Sequence, residues 1–253
     1  MSNIVLGADG IMARQNIFQE DITQKNDLGR KIDFSDGRRF RYCKASGAVE
    51  IGHLVTTAAV VANDADVTQT GCTVTISGGS IGSKVIDVLL GAATTKDLYA
   101  DGYFNVVSGT GLGQFRKIKS NSAGGSAVGS LCTVTLYDPL ITALDATSVI
   151  TLCKNKYKDV VQGVATTVVG SPIGVPLIAV TTGGYYFWAQ TRGLAPVMVD
   201  DDGNLVIGED VVMGGGDAGA IITCADASLS KRLGVAVHIA DEDMYAIIDL
   251  HCE

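Results

Sequence analysis

The stretch GGYYFWAQTRGLAPVMVDDDGNLVIGEDVVMGGGDAGAIITC, residues 183–224, decides the fold class. Its aromatic run alternates, with Tyr185 and Phe187 on one side and Tyr186 and Trp188 on the other. That period of two marks a strand. Gln190, Thr191 and Arg192 follow, and then a second apolar run at residues 195–199. Asp200, Asp201, Asp202, Gly203 and Asn204 are turn residues that tolerate left-handed backbone, and Leu205, Val206 and Ile207 resume a strand. A further turn at 208–210 leads to the short strand Val211, Val212, Met213, and residues 214–219 turn again. The pattern predicts a β-meander without a helix. Nothing in it resembles an active site, so it points to binding or assembly rather than catalysis.

Working outward, the composition agrees with an all-β class. The chain has 253 residues, of which 47% are hydrophobic and only 18% charged, with 31 glycines against four prolines. Frequent Val and Thr with many glycines read as strands joined by tight turns. A chain of this length buries roughly 70–75% of its unfolded surface, enough for a substantial core. Acidic side chains outnumber basic ones, 27 to 19, for a net charge of −8, which disfavours a nucleic-acid partner. The first residues lack the basic and apolar regions of a signal peptide. Residues 160–191 carry no charge, but Gly163, Gly170, Pro172, Gly174 and Pro176 would break a membrane-spanning helix. Buried or interface-facing strands are expected there instead, and no membrane partner. The six cysteines form no CxxC pair, and most fall in apparent strands as small apolar residues. They read as reduced thiols of a protein made in a cytosol.

Three segments are expected. Residues 1–34 are polar and turn-rich and read as an extended N-terminal arm that orders on a partner. Residues 35–70 and 156–253 form the main β-domain, as a meander, sandwich or barrel-like sheet. Residues 71–155 form a second β-lobe, possibly inserted. Within the main domain Arg38, Arg39, Phe40, Arg41 and Tyr42 read as an edge strand kept soluble by charge, or as a basic contact to an acidic partner. In the second lobe Cys72-Thr73-Val74-Thr75-Ile76 recurs as Cys132-Thr133-Val134-Thr135-Leu136, the mark of two similar strands in one sheet. Residues 97–118 read as strand, glycine turn and strand, and the Gly/Ser/Ala-rich residues 120–130 as a mobile loop. Asp138 followed by Pro139 suits the start of a short helix over residues 138–144.

The motifs that resemble chemistry fail on context. Gly78-Gly79-Ser80-Ile81-Gly82 fits GxSxG, but a nucleophile elbow needs a helix next, and the β-branched run 85–90 follows. Residues 214–219 fit GxGxxG, but a strand follows where a dinucleotide site needs a helix. Residues 200–204 faintly resemble a calcium loop whose spacing fails, so an acidic turn is expected. His53 has no nearby ligand or nucleophile, and the three histidines lie far apart. The expectation is therefore no catalytic, cofactor-binding or metal-ligating residue.

Read in order, LGRKIDFSDGRRFRYCKASGAVEIGHLV, DLYADGYFNVVSGTGLGQFRKIKSN, CTVTLYDPLITAL with KNKYKDVV, and YYFWAQTRGLAPVMVDDDGNLVIGEDV resemble virion structural proteins of tailed bacteriophages. The likeness is to the capsid decoration, or cement, proteins, and it covers residues 28 to about 220. The resemblance implies a non-enzymatic, all-β protein that is made in the host cytoplasm and binds the outer capsid surface. It further implies that the protein bridges neighbouring capsomers of the major capsid protein as a homo-oligomer, a trimer being favoured over a dimer. The contacts to the capsid or to other copies are then expected at Arg38, Arg39, Phe40, Arg41, Tyr42, Tyr185, Tyr186, Phe187, Trp188 and Arg192. A different class remains open: a head-fibre or tail-associated receptor-binding module whose loops touch host glycans. An enzyme acting through Ser80 is the third class.

Overall fold

The computed structural model describes residues 15–58, 68–74, 79–125, 129–164, 170–201, 203–224 and 231–253. Among them there is no helix, and sixteen strands give an all-β protein. The chain divides into two units, Met1–Ala58 with Lys156–Glu253, and Ala59–Asn155. The second unit thus begins at Ala59 rather than at residue 71.

In chain order the first unit contributes β1 (Lys31–Asp33), β2 (Arg39–Lys44) and β3 (Val55–Thr56). The second contains β4 (Thr68–Val74), β5 (Val85–Leu90), β6 (Tyr103–Ser108), β7 (Phe115–Asn121), β8 (Ser130–Leu136) and β9 (Val149–Cys153). The chain then returns to the first unit with β10 (Val161–Gln162), β11 (Pro172–Pro176), β12 (Tyr186–Met198), β13 (Asp210–Met213), β14 (Ile221–Thr223), β15 (Gly234–Ala236) and β16 (Tyr245–His251).

The first unit is built on β12. The aromatic run and the apolar run after it form one thirteen-residue strand, because the polar residues between them do not break it. Gln190 is buried, and its amide donates to the carbonyl oxygens of Arg192, Gly193 and Leu194. β12 pairs antiparallel with β2 over Tyr186 to Arg192, with β11 at Ala189 and Gln190, and with β16 over Arg192 to Met198. The sheet order is β10-β3-β11-β12-β16-β15-β13-β14, with β2 beside β12 and β1 beside β2. This is not the expected meander, since β16 and β15 lie between the consecutive strands β12 and β13.

The alternation expected for the aromatic run is present, and both sides are core. Phe187 and Ala189 join Cys43, Val55, Val160 and Ile173 in one apolar cluster, while Trp188 joins Ile17, Ile32, Phe40 and Tyr42 in another. The second cluster closes only because the N-terminal segment lies on it. Trp188 Nε1–H donates to the Gln15 carbonyl (3.0 Å), and Gln15 Nε2–H donates to the Tyr186 carbonyl (2.8 Å). The Tyr42 hydroxyl donates to Gln15 Oε1 (2.6 Å) and accepts from the Lys25 N–H (3.1 Å). Asp21 exchanges backbone bonds with Tyr186, and β1 pairs with β2. Residues 15–34 are therefore part of this unit's core rather than an arm extending from it. The first fourteen residues of the expected arm lie outside the described residues.

The second unit is a closed antiparallel barrel of six strands, ordered β4-β5-β8-β7-β6-β9. Inward residues alternate along four of the strands: Ile86, Val88 and Leu90 on β5, Phe104 and Val106 on β6, Cys132, Val134 and Leu136 on β8, Ile150 and Leu152 on β9. Side chains fill the interior, as expected for a barrel this small. The two similar segments lie in β4 and β8, on either side of β5, and both Cys72 and Cys132 reach the core; Thr75 and Ile76 fall outside the described residues. Burial pushes the Cys72 thiol up to about 11, the behaviour of an inert packing thiol. None of the six cysteines is joined in a disulfide.

The helix expected over residues 138–144 is absent. Its backbone donors are claimed by tertiary partners: Ile141 and Thr142 donate to Gln114 Oε1, Leu140 to the Ser83 carbonyl and Leu144 to the Gly79 carbonyl. In exchange this segment places Leu140 and Leu144 in the barrel core. The segment read as a loop at 120–130 is shorter than expected, since Ser120 and Asn121 finish β7 and Ser130 opens β8.

Removing the ring that both the sheet and residues 15–34 depend on should be costly. Trp188→Ala is expected to lose about 3–5 kcal/mol in urea unfolding and to expose Lys25 to trypsin. Trp188→Phe, which loses chiefly the bond to Gln15, should cost only about 1 kcal/mol.

Candidate functional site

The structure separates the ten residues named from the sequence into three groups. Phe40, Tyr42, Phe187 and Trp188 are fully buried and are not surface contacts. They are core because the sheet is covered on both faces where β2 crosses β12, which alternation alone does not reveal. Burial also raises the Tyr42 phenol to about 12, so it stays neutral. Tyr185 and Tyr186 are half-buried, Tyr186 stacked on Tyr42 with ring centroids 5.8 Å apart.

The arginines differ. β2 is no edge strand, since β1 and β12 flank it, and its cations are already committed. Arg38 binds Asp36 (2.7 Å), Arg39 binds Asp33 (2.6 Å) and Arg41 binds Glu253 (2.6 Å). Burial alone would raise the Glu253 carboxyl, but the Arg41 guanidinium and the Thr191 hydroxyl outweigh it and hold it below its ordinary value. Only Arg192 of this set is exposed, and it has no carboxylate partner among the described residues.

The chemistry-like motifs resolve into turns. Ser80 is exposed in the connection between β4 and β5, with its carbonyl accepting from the Ser83 N–H (3.1 Å) and a strand following; Gly78 lies outside the described residues. The glycines at 214–219 wrap a buried carboxylate. Asp200 accepts from the Gly216 N–H (3.0 Å) and the Asp217 N–H (2.7 Å). A Cβ at Gly214 would run into the Asp200 carboxylate, and one at Gly216 into Asp201. Asp200, Asp201 and Asp217 bring carboxylate oxygens within 4.8 Å of one another, the donor set of a hard cation. Both Asp200 oxygens already accept backbone bonds, so this carboxylate serves first as the anchor that ties two turns together. Asp202 lies outside the described residues. His53 is buried, with Nδ1 2.8 Å from the Ala218 carbonyl and 3.1 Å from Gln162 Nε2, a link between loops.

Two outward surfaces emerge that sequence reasoning missed. On the barrel, Tyr103 of β6 and Phe115 of β7 stack in the open, centroids 4.9 Å apart and planes 16° apart. Their neighbour Lys117, opposite Tyr103 in register, sits 5.2 Å from the Tyr137 ring and 3.3 Å from Asp101. The signal was present: adjacent Tyr103 and Phe104 point to opposite faces of a strand, and a barrel has one core, so one ring must be outside. On the first unit, β12 and β16 present Leu194, Pro196, Tyr245 and Ile247 to solvent. The register sets Pro196 against Ile247, Met198 against Tyr245 and Leu194 against Asp249.

No family model, curated protein or solved structure matches the chain.

The Asp200 anchor is testable through acid. Burial alone would raise its carboxyl, but the Gly216 and Asp217 N–H donors prevail and hold it below 3.8. A depressed folded-state value stabilises above the unfolded value of about 4, and that contribution is lost as pH falls through the folded value. Asp200→Ala should therefore cost about 1–3 kcal/mol at neutral pH by taking the charged acceptor from two part-buried donors. Its urea midpoint should also fall less than that of the parent protein between pH 6 and pH 2.5.

Proposed function

We propose that this protein is a non-enzymatic structural component of a tailed-phage virion. In this reading it is made in the host cytoplasm and binds the outer capsid surface as a homo-oligomer, cementing neighbouring copies of the major capsid protein. The observation that carries the reading is the aromatic surface outside the barrel. Tyr103 and Phe115 hold stacked rings in solvent, Leu112 stands exposed in the adjoining turn, and Tyr137 lies beside them. Exposed aromatics centred in a polar rim are how recognition surfaces concentrate binding energy. The barrel interior is filled with side chains, which supports reading its outer surface as the part of this unit that meets a partner. The resemblance to cement proteins supplies the partner class. Repetition of one modest contact over a capsid lattice multiplies its effect through avidity, and a ligand that binds only the assembled shell stabilises it by mass action.

A second reading rests on the same rings. Stacked, near-parallel aromatics flanked by Asn105, Lys117 and Asp101 also suit packing against a sugar ring, the chemistry of a receptor-binding module on a head fibre or tail.

Cosedimentation of the purified protein with stripped capsids of the parent phage separates the two. Saturable binding at a fixed ratio to capsid subunits is expected, weakened at least tenfold by Tyr103→Ser with Phe115→Ser, both surface changes. Absence of capsid binding, together with sugar-competed binding to host cells, would replace the cement reading by the receptor reading. Capsid binding untouched by the double substitution would remove the barrel surface from the interface.

A further inference from the structure

The exposed face of β12, β16 and the segment after β15 is unusual in both composition and polarity. In register, Pro196 of β12 lies against Ile247 of β16, and the Val237 N–H donates to the Ile247 carbonyl (3.1 Å). Three apolar side chains therefore cross the face in one row. Leu194 stands beside this row at 55% exposure, and Ile239 and Tyr245 at 60% and 47%. An outward sheet face normally carries polar side chains, and this contiguous apolar ladder marks an interface.

The two ends differ in charge. At one end Arg192 and His251 face each other, with Asp249 3.8 Å from His251, and the Arg192 guanidinium has no ion-pair partner among the described residues. At the other end the chain enters β16 through the exposed turn of Asp241, Glu242 and Asp243. Between them β16 runs from Tyr245 to His251, about six residue steps or about 20 Å. When two identical faces of this kind meet across a twofold axis with their strands antiparallel, each Arg192 comes to the acidic turn of the other copy. The apolar ladders then cover each other. That rotation is favoured over a parallel stacking, which would set the two acidic turns against each other. A standard interface takes about 800 Å² from each partner, and a three-strand face of half-exposed side chains is of that order.

We propose that this face binds a second copy of the same chain as a twofold dimer, with Arg192 of each protomer paired to the 241–243 turn of its partner. The symmetry differs from the threefold favoured by the resemblance. It follows from the face alone and does not depend on capsid binding.

Sedimentation equilibrium of the full chain tests it. A monomer–dimer equilibrium is expected, with Ile247→Asp weakening dimerisation at least tenfold; Ile247 is exposed, so the fold should survive, and circular dichroism checks that it does. Arg192→Glu should weaken the dimer several-fold, and Arg192→Glu with Glu242→Arg should restore it, because each new charge meets its complement across the axis. A monomeric parent protein, a trimer, or a dimer indifferent to Ile247→Asp would each overturn the proposal. So would a dimer that forms only after residues 1–14 are deleted, since the chain's own N-terminal segment would then occupy the face. Capsid cosedimentation of the same variants reads the cement function separately.

Discussion

The first unit depends on one constraint: the N-terminal half of β12 must bury two faces at once. Phe187 and Trp188 are adjacent in sequence and both fully buried, so the strand cannot lie on a sheet with a wet side. One face is closed by β3, β10 and β11 with their neighbours, the other by residues 15–34. The donors that this burial strands find acceptors locally, although the Gln190 carbonyl oxygen Oε1 is buried without a hydrogen-bond partner. The indole N–H reaches the Gln15 carbonyl, and the Gln190 amide turns onto three carbonyls of its own strand. An indole buried without a partner would forfeit much of what its area contributes, so the first turn after residue 14 and the central strand are one structural feature.

Where that double cover ends, β12 changes character. From Arg192 onward it pairs with β16, its odd-numbered side chains Ala195 and Val197 fill the main core, and its even-numbered ones reach solvent. Leu194 and Pro196 remain apolar there although no further layer of this chain covers them among the described residues. The barrel reaches the same situation by another route. A closed sheet has one inside, so of two neighbouring aromatics one goes out, and Tyr103 is caught by Phe115 on the next strand. Each unit thus carries apolar surface beyond what its own core consumes. Surplus of that kind suits surfaces that meet a partner, and it is the ground on which a binding function is proposed.

The charges follow the same division. Arg38, Arg39 and Arg41 are neutralised inside the first unit, the last by the bidentate contact with Glu253. Such pairs fix geometry more than they stabilise. Asp200 does comparable work without a cation, since two backbone N–H groups meet its carboxylate and the glycines around it make room. Exposed acidic residues sit in turns such as Asp241 to Asp243, and Arg192, at the other end of the open sheet face, is a cation without an ion pair among the described residues.

Local pattern alone determined a good deal. The period of two in the aromatic run, the glycine turns and the absence of any sustained helical period specified an all-β chain. It also assigned Tyr185 with Phe187, and Tyr186 with Trp188, to opposite faces, and dismissed the GxSxG and GxGxxG matches because strands follow them. Alternation is a property of each strand by itself, so it is legible without knowing the neighbours. What lies above each face is not. Only the tertiary structure decided that both faces of the sheet are covered where β2 meets the N-terminal half of β12, which removed Phe40, Tyr42, Phe187 and Trp188 from any surface. It also decided that β16 intervenes between β12 and β13, and that Gln114 takes the backbone donors a helix over residues 138–144 would have used. Pairing partners hundreds of positions apart, such as Arg41 with Glu253, are chosen by the closing of the whole sheet. A strand carries its own two faces in its sequence, but what covers them is supplied by distant chain, and exposure is settled there.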